Sequence, residues 1–243
     1  MTENMPSPTH GPNASPGSRP GARSAVRAIV TVGPTHEPID AVRYIGNRSS
    51  GRMGLAIAEA LRRAGCEVTV LAGPGVTRPA DHPGDWISFR TAGDLARSLS
   101  EAWPGHDLLV MAAAVADFRP REPWTGKRRR EDGAQSVELV PTQDVLAGLA
   151  PSTRPDQYVV GFALEEPAAL ERSARDKLAR KRLDLVVANP IDTMESADVD
   201  ATVFMADGTA RRAAPGRVTK EAFAAWLAGL VVPAAAARAA NPR

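Results

Sequence analysis

The sequence predicts an α/β fold, namely a doubly wound, mainly parallel sheet with a late antiparallel hairpin. Short aliphatic runs alternate with segments of helical periodicity, which is typical of chains built from β–α–β units. Most of these runs are apolar at every position, as expected of parallel strands buried on both faces. Asp207-Gly208, between two strand-like runs, indicates the hairpin. Helices should therefore cover both faces of the sheet.

Strands are predicted where apolar or alternating runs stop at turn-forming residues. The first covers 28–32 and stops at Gly33-Pro34. The other predicted strands span 67–71, 86–90, 108–114, 136–140, 158–163, 185–188, 202–205 and 210–213.

Helices are predicted from apolar periodicity and from capping residues. Apolar residues recur every four positions over 53–61, and Gly65 closes that helix. Thr91 with Asp94 resembles a capping box before a second helix that reaches residue 101. We expect Thr142 to cap a short third helix ending at residue 149. The remaining predicted helices span 168–182 and 219–230.

The two ends of the chain differ in composition from its middle. Residues 1–24 are rich in Pro, Gly, Ser and Asn and predict a disordered arm. The folded domain is predicted at 25–232, and the Ala/Arg/Pro tail at 233–243 is expected to be disordered. No apolar run approaches the roughly 20 residues that span a bilayer, and the N-terminus has no apolar signal core. We therefore expect a cytoplasmic protein with no membrane partner.

Charge and cysteine content disfavour two classes of function. The formal net charge is +2, and the dense basic cluster at 127–130 is followed directly by Glu131 and Asp132. This pattern disfavours a nucleic-acid partner. Cys66 and the four histidines have no ligand spacing, which disfavours structural zinc, so no protein side chain is predicted as a metal ligand.

A long polar connection from 33 to 50 is the first candidate site. It leads into the first helix, whose N-terminus offers free N–H groups and partial positive charge to an anion. Ser49 or Ser50 could cap this helix or donate to phosphate, while Gly51 allows close ligand approach and Gly54 close packing on the sheet. The alternative is a capped helix with a loose loop. The glycine spacing is not G-x-G-x-x-G, which disfavours an NAD(P) reductase.

Lysines are rare in this chain, which suggests that each is retained for a reason. Of the 30 Lys and Arg residues, four are lysines. Lys177 and Lys181 are one helical turn apart and would repel each other unless an anion lay between them; the alternative is a solvated face. Lys127 lies in a charged segment that could close as a lid or be a surface loop. The other lysine is Lys220.

Small residues end the strand predicted at 108–114, and they leave room for a ligand. Asp117 follows them, either as a ligand-binding side chain or as a turn residue.

These and other segments match one family in chain order. The segments are 31–35 with 37–40, 42–45 with 47–54, 112–120, 160–163, and Lys177 and Lys181 before 183–189. They resemble the phosphopantothenate–cysteine ligase family, the synthetase half of the bifunctional flavoprotein of coenzyme A biosynthesis.

The resemblance implies a Rossmann-like core, a homodimer and a ligation reaction. CTP or ATP would activate the carboxylate of 4′-phosphopantothenate with the help of Mg²⁺, and the amine of L-cysteine would then displace the nucleotide. The flavin-binding decarboxylase half has no counterpart in the chain, so FMN is not expected and a separate decarboxylase is a possible partner.

The resemblance also implies roles for individual residues. Asn47 would contact the acyl intermediate, Arg43 would support its loop, and Lys127 would be the lid lysine that stabilises charge during activation. The implied nucleotide-binding residues are Gly33, Asp117, Asp144, Phe162, Lys177 and Lys181. The implied substrate-binding residues are Asn47, Ser49, Ser50, Gly51, Ala113 and Ala114.

Two departures from the family pattern leave alternatives open. The family usually has Lys-Asn-Pro-Asp where this chain has Pro141-Thr142-Gln143-Asp144, and Pro34 replaces a second glycine. The first departure leaves CTP and ATP both possible, as well as a paralogous amide ligase acting on a related acid. An NAD(P)-binding oxidoreductase and a non-catalytic partner of a flavoprotein decarboxylase are the further alternatives.

Overall fold

A central eight-stranded sheet organises the protein. The computed structural model describes residues 25–82, 84–193, 196–214 and 216–242. Six neighbouring strands are parallel and two at one edge are antiparallel, in the order β13-β12-β10-β9-β6-β1-β4-β5. Their bounds are β1 Arg27–Val32, β4 Glu67–Ala72, β5 Trp86–Ser88, β6 Leu108–Met111, β9 Tyr158–Glu165, β10 Leu185–Pro190, β12 Thr202–Met205 and β13 Ala210–Arg212. The predicted fold class, including the late hairpin of β12 and β13, is confirmed.

Helices cover both faces of this sheet. Their bounds are α1 Arg52–Arg63, α2 Ala92–Ala102, α3 Val145–Leu149, α4 Leu170–Lys181 and α5 Lys220–Ala240. The helices α1 and α5 share one hydrophobic core with one face of the sheet, through Ile57, Leu61 and Phe223. The helices α2, α3 and α4 share the core on the other face.

Three short antiparallel ladders lie outside the main sheet. They are β2 His36–Pro38 with β3 Tyr44–Gly46, β7 Phe118–Pro120 with β8 Leu139–Pro141, and β11 Asp198–Val199 with β14 Val218–Thr219. The first ladder lies inside the long connection after β1, so that connection is not the unstructured loop that its length suggested. Of the strand predicted at 136–140, only residues 139 and 140 are extended, in β8, which pairs with β7 outside the main sheet.

The short helix α3 begins two residues later than the prediction placed it. Its N-cap is Asp144, whose side chain accepts a hydrogen bond from Ala147 N at 3.1 Å. The predicted cap, Thr142, instead donates its hydroxyl to the carbonyl of Ala116. That prediction was wrong because a long-range acceptor holds the Thr142 hydroxyl.

The last helix continues ten residues beyond its predicted end at residue 230 and passes through Pro233. The buried stripe continues to Ala235, and Arg238 forms an ion pair of 2.8 Å with Asp184, a side chain that is 6% exposed. These contacts outweigh the hydrogen bond lost at proline. Residues up to Ala240 are therefore helical, where a disordered tail was expected. The predicted arm, 1–24, lies outside the described residues.

By length and composition alone, the 21 residues of α5 could also cross a bilayer, although no such run was expected from the sequence. This observation is weak evidence, because a core helix meets the same criterion. One face of α5 is buried against α1 and the sheet, as in a core helix.

Candidate active site

A cleft of about 730 Å³ opens at the carboxyl ends of the central strands. Its walls come from the segments 47–51 and 111–117 and from the carboxyl-terminal residues of β9 and β10. The first residues of α1 and α5 and the side of α4 that carries Ser173, Lys177 and Lys181 complete them. The strand order reverses between β1 and β6, because the chain moves outward from β1 to β4 and later from β6 to β9. In open α/β sheets, ligands bind at this position.

The segment after β6 is attached to the segment after β1 by a chain of hydrogen bonds. Ala114 N donates to Gly33 O at 2.9 Å, and Ala116 N donates to the Thr35 hydroxyl at 2.9 Å. Asn47 Nδ2 donates to Val115 O at 3.1 Å, which holds the Asn47 side chain at the cleft. The two segments therefore form one wall, although more than 60 residues separate them in the sequence.

The start of α1 opens into this cleft without a side-chain cap. Gly51, at φ 75°, is the N-cap, and a Cβ atom there would lie 2.8 Å from Val76 Cγ2. Neither Ser49 nor Ser50 caps the helix, so the capping role considered for them was wrong; Ser49 Oγ only accepts a 3.4 Å contact from Gly51 N. The first N–H groups of α1 thus remain available to an anion.

Lys177 and Lys181 form the facing wall. Lys177 donates to the carbonyl of Phe162, and Lys181 Nζ lies 2.9 Å from Asp144 Oδ1. Burial and then the charge of Lys181 lower the pKa of Lys177 to about 8. Burial by itself raises the pKa of Asp144, but the hydrogen bond from Lys181 leaves it lowered on balance. The pair is therefore built into the cleft wall and is not a solvated helix face.

Most of the predicted site residues lie together in this cleft. They are Asn47, Ser49, Ser50, Gly51, Ala113, Ala114, Asp117, Asp144, Phe162, Lys177 and Lys181. Gly33 lies behind the lining, where its carbonyl accepts from Ala114 N and a Cβ atom would meet Val76 Cγ2 at 2.4 Å. Gly33 therefore has a packing role within this chain, and its expected nucleotide contact stays a prediction.

Arg43 and Lys127 lie away from the cleft lining, beside the buried carboxylate of Asp40. Asp40 accepts from the backbone N–H groups of Val42 and Arg43 and from the Arg43 guanidinium. It also accepts from Arg128 N at 3.2 Å, which fixes the segment that carries Lys127. Hydrogen bonds, that from Arg43 foremost, hold the pKa of Asp40 well below its usual range. Arg43 therefore contacts its own loop through Asp40, and its role in the reaction stays a prediction. Lys127 is exposed to solvent.

Three further residues of the cleft escaped the sequence analysis. Arg52 and Lys220 are the first residues of α1 and α5, and Asn189 lies at the end of β10. The Asn189 Oδ1 atom is buried and has no hydrogen-bond partner in the described part of the chain. The rarity of lysine was the one signal that pointed to Lys220.

Three acidic side chains line the cleft. Asp117, Asp144 and Glu165 all lie near Lys177, whose pKa they act to raise. Within the ranges that the structure describes, no three His, Cys, Asp or Glu side chains are grouped as a set of metal ligands. Single carboxylates of this kind suit Mg²⁺, which is commonly held by one or two carboxylates together with substrate phosphates.

Comparison with protein families gives a match over residues 24–233 to the family described as the DNA/pantothenate metabolism flavoprotein C-terminal domain. A coenzyme A biosynthesis bifunctional protein CoaBC from Bacillus subtilis (strain 168) is 36% identical over 187 residues, which cover 75% of this chain and 46% of that protein. A cysteine/cysteine sulfinic acid decarboxylase from an unknown prokaryotic organism is 41% identical over 162 residues, which cover 67% and 45%. The chain thus spans less than half the length of these relatives.

Solved structures give the same architecture. The C-terminal domain of a coenzyme A biosynthesis bifunctional protein CoaBC matches with a TM-score of 0.73 at 30% identity, and covers 88% of this chain and 98% of that one. A Cab2 variant in complex with phosphopantothenate-cysteine matches with a TM-score of 0.72 at 20% identity, over 90% of both chains. At that identity the second likeness supports the fold alone.

Proposed function

Because the chain belongs to the family of DNA/pantothenate metabolism flavoprotein C-terminal domains, we propose that it is a phosphopantothenate–cysteine ligase of coenzyme A biosynthesis. One observation carries this proposal. The cleft places Asn47 and the uncapped start of α1 on one wall and the Lys177–Lys181 pair on the other. Such a cleft suits two phosphorylated reactants that must meet at one carboxylate.

The proposed reaction has two steps. The carboxylate of 4′-phosphopantothenate attacks the α-phosphorus of CTP or ATP, and pyrophosphate leaves as the acyl-nucleotide forms. The amine of L-cysteine then attacks the acyl carbonyl, loses a proton, and displaces the nucleoside monophosphate. Both steps increase negative charge on oxygen, which fixed donors stabilise, commonly by about 3–4 kcal/mol for each donor.

Each wall of the cleft has a role in these steps. Lys177 and Lys181 bind nucleotide phosphates, and the ammonium of Lys177 exchanges its bond to the Phe162 carbonyl for one to phosphate. Asn47 is held by Val115 O at 3.1 Å and orients the acyl group for attack. Mg²⁺, when bound, would neutralise charge on the triphosphate, with Asp117 as the candidate carboxylate.

The decisive experiment supplies four nucleoside triphosphates, one at a time, with 4′-phosphopantothenate and L-cysteine, and measures release of pyrophosphate. We expect release with CTP or ATP that requires the acid, and amide product that requires cysteine. A protein that binds the reactants but never forms amide would contradict the ligase proposal and favour a non-catalytic partner of a decarboxylase.

The Asn47→Asp variant separates the two steps. It keeps the size of the side chain but replaces the NH₂ donor with a carboxylate, which repels the developing oxyanion. We expect amide formation to fall by about 10²-fold or more, a loss typical of one oxyanion donor, while pyrophosphate release falls less. An equal loss in both steps would contradict the role of Asn47.

We also propose that the ligase is a cytoplasmic homodimer and that a separate decarboxylase catalyses the step that follows ligation. The support for the dimer is a surface that we call the hairpin surface, formed by β2–β3 and β7–β8, which lie against each other. It exposes Val42, Tyr44, Phe118 and Leu139, which are 57%, 48%, 51% and 46% exposed. Clustered exposed apolar side chains are typical of protein interfaces.

A further inference from the structure

Two cationic side chains lie in the cleft on the opposite side of the sheet from the Lys177–Lys181 pair. Arg52 is the first residue of α1 and Lys220 is the first residue of α5, and both line the cleft. The helices α1 and α5 share one core, whereas α4, which carries Lys177 and Lys181, packs in the core on the other face. The cleft therefore has two separate groups of positive charge.

Lys220 is unusual because most of the residue is buried at the cleft, beside another cation. The residue is 9% exposed, and its ammonium makes no hydrogen bond or ion pair within the ranges that the structure describes. Burial and then the neighbouring Arg52 lower its pKa, against the weaker opposite effect of Glu221. Partial desolvation of an ammonium is unfavourable, and a second cation beside it adds a repulsive cost. An anion between the two would remove it.

The backbone adds donors at the same position. The α1 helix is 12 residues long, begins at Arg52 and has no side-chain cap, so its first N–H groups face the same cleft. A helix start, a guanidinium and an ammonium together supply the donors that a phosphoryl group requires. A carboxylate has only two oxygens to accept from these donors, whereas a terminal phosphate has three.

We propose that Lys220 and Arg52 add two cations to the anion site at the start of α1 and so form a phosphoryl-binding subsite separate from the Lys177–Lys181 pair. The inference rests on the proposed function for its two phosphorylated reactants, a triphosphate and a phosphate monoester. The shared chemistry is a terminal or bridging phosphoryl group, and either reactant could supply it. With Lys177 and Lys181 on one face and Lys220 with Arg52 on the other, two phosphoryl groups can be bound at once without sharing a cation.

The test measures binding by titration calorimetry in the absence of turnover. The probes are inorganic pyrophosphate, CTP and 4′-phosphopantothenate, each added alone to wild type and to Lys220→Gln. We expect Lys220→Gln to lower the affinity for at least one probe by about tenfold or more, which is the usual effect of losing a charge-assisted hydrogen bond. The Lys220→Arg variant should recover part of the loss, because it restores the charge.

Two further variants serve as controls. Arg62→Gln removes a cation at the far end of α1, where Arg62 pairs with Glu59 at 2.8 Å, and should leave all three affinities unchanged. Arg52→Gln should lower the affinity for the same probe as Lys220→Gln does. It also tests the subsite if the Lys220→Gln protein folds poorly. The probe whose affinity falls identifies the reactant that supplies the phosphoryl group. Loss of affinity for CTP and pyrophosphate assigns the triphosphate, and loss for 4′-phosphopantothenate alone assigns the phosphate monoester.

The outcomes separate this inference from the proposed function. Affinities within twofold of wild type for all probes in both Lys220→Gln and Arg52→Gln would overturn the subsite, as would a wild-type protein that binds none of the probes. If wild type forms amide and these variants bind normally, the ligase proposal survives and the subsite does not. If binding depends on Lys220 but no amide ever forms, the subsite survives and the ligase proposal fails.

Discussion

Lys177 shows how a single residue links stability to binding. Its ammonium is held against the Phe162 carbonyl, and burial with the nearby Lys181 lowers its pKa to about 8 from an ordinary value of 10.5. Between these two pH values the unfolded chain carries a proton that the folded protein has released. The free energy of unfolding of the ligand-free protein should therefore rise with pH across this window.

The measurement compares wild type with Lys177→Met in urea between pH 7.5 and 10.5. We expect wild type to gain stability relative to the variant as pH rises, by about 3 kcal/mol at most, since each tenfold change in proton affinity is worth about 1.4 kcal/mol. Parallel profiles for the two proteins would show that the pKa of Lys177 is not lowered.

Asp40 illustrates a residue whose importance is invisible in its local sequence. In the sequence it is one of several polar residues in a long connection. In the structure its buried carboxylate accepts from the backbone of its own turn and from Arg128 N, 88 residues away. Asp40 therefore attaches the segment carrying Lys127 to the β2–β3 ladder. This attachment determines the position of the predicted lid lysine in the ligand-free protein.

At the scale of elements, the close packing of α1 on β1 positions the helix start at the cleft. Gly54 makes this packing possible, because a Cβ atom there would lie 2.5 Å from Val32 Cγ1 and 3.2 Å from Thr31 O. In α5, by contrast, a Cβ atom on Gly229 would meet nothing within 4 Å. The two helical glycines thus provide a matched pair.

We expect opposite effects from the same substitution at these two positions. Gly54→Ala should destabilise the protein by about 1–3 kcal/mol through overpacking, and should weaken anion binding because α1 shifts. Gly229→Ala should stabilise it by about 0.5–1 kcal/mol, because alanine is the better helix former. Urea denaturation of both variants checks this, and a stabilised Gly54→Ala protein would mean that α1 can move outward without cost.

At the scale of the whole molecule, the hairpin surface lies beside the cleft and carries the proposed dimer contact. Leu139 is 46% exposed on it, whereas Ile191, similarly exposed at 43%, lies elsewhere, in the short turn after β10. Sedimentation velocity should give a species of twice the 25.7 kDa chain mass. Leu139→Asp should dissociate it at micromolar concentration, whereas Ile191→Asp should not. A wild-type monomer at every concentration would rule out the dimer.

The sequence by itself determined the fold class and residues on both walls of the cleft. The patterns that indicated them are local, because each arises from the geometry of one element. They are the strand periodicity, the glycines at the start of α1 and the i, i+4 spacing of Lys177 and Lys181. Parallel strands then bring their carboxyl ends to one edge of the sheet, so residues after different strands could be expected to meet. Eleven of the predicted site positions line the cleft, and two of them, Asp144 and Phe162, were implied only by the family resemblance.

Only the tertiary structure decided which side chains lack partners and which are already paired. Lys220 enters the cleft because α5 packs beside α1, and Lys127 stays outside because Asp40 holds its neighbour Arg128. The helix beyond Pro233 persists because Arg238 reaches Asp184, 54 residues earlier. Each of these outcomes depends on contacts between residues far apart in the chain, whose energies no local pattern encodes.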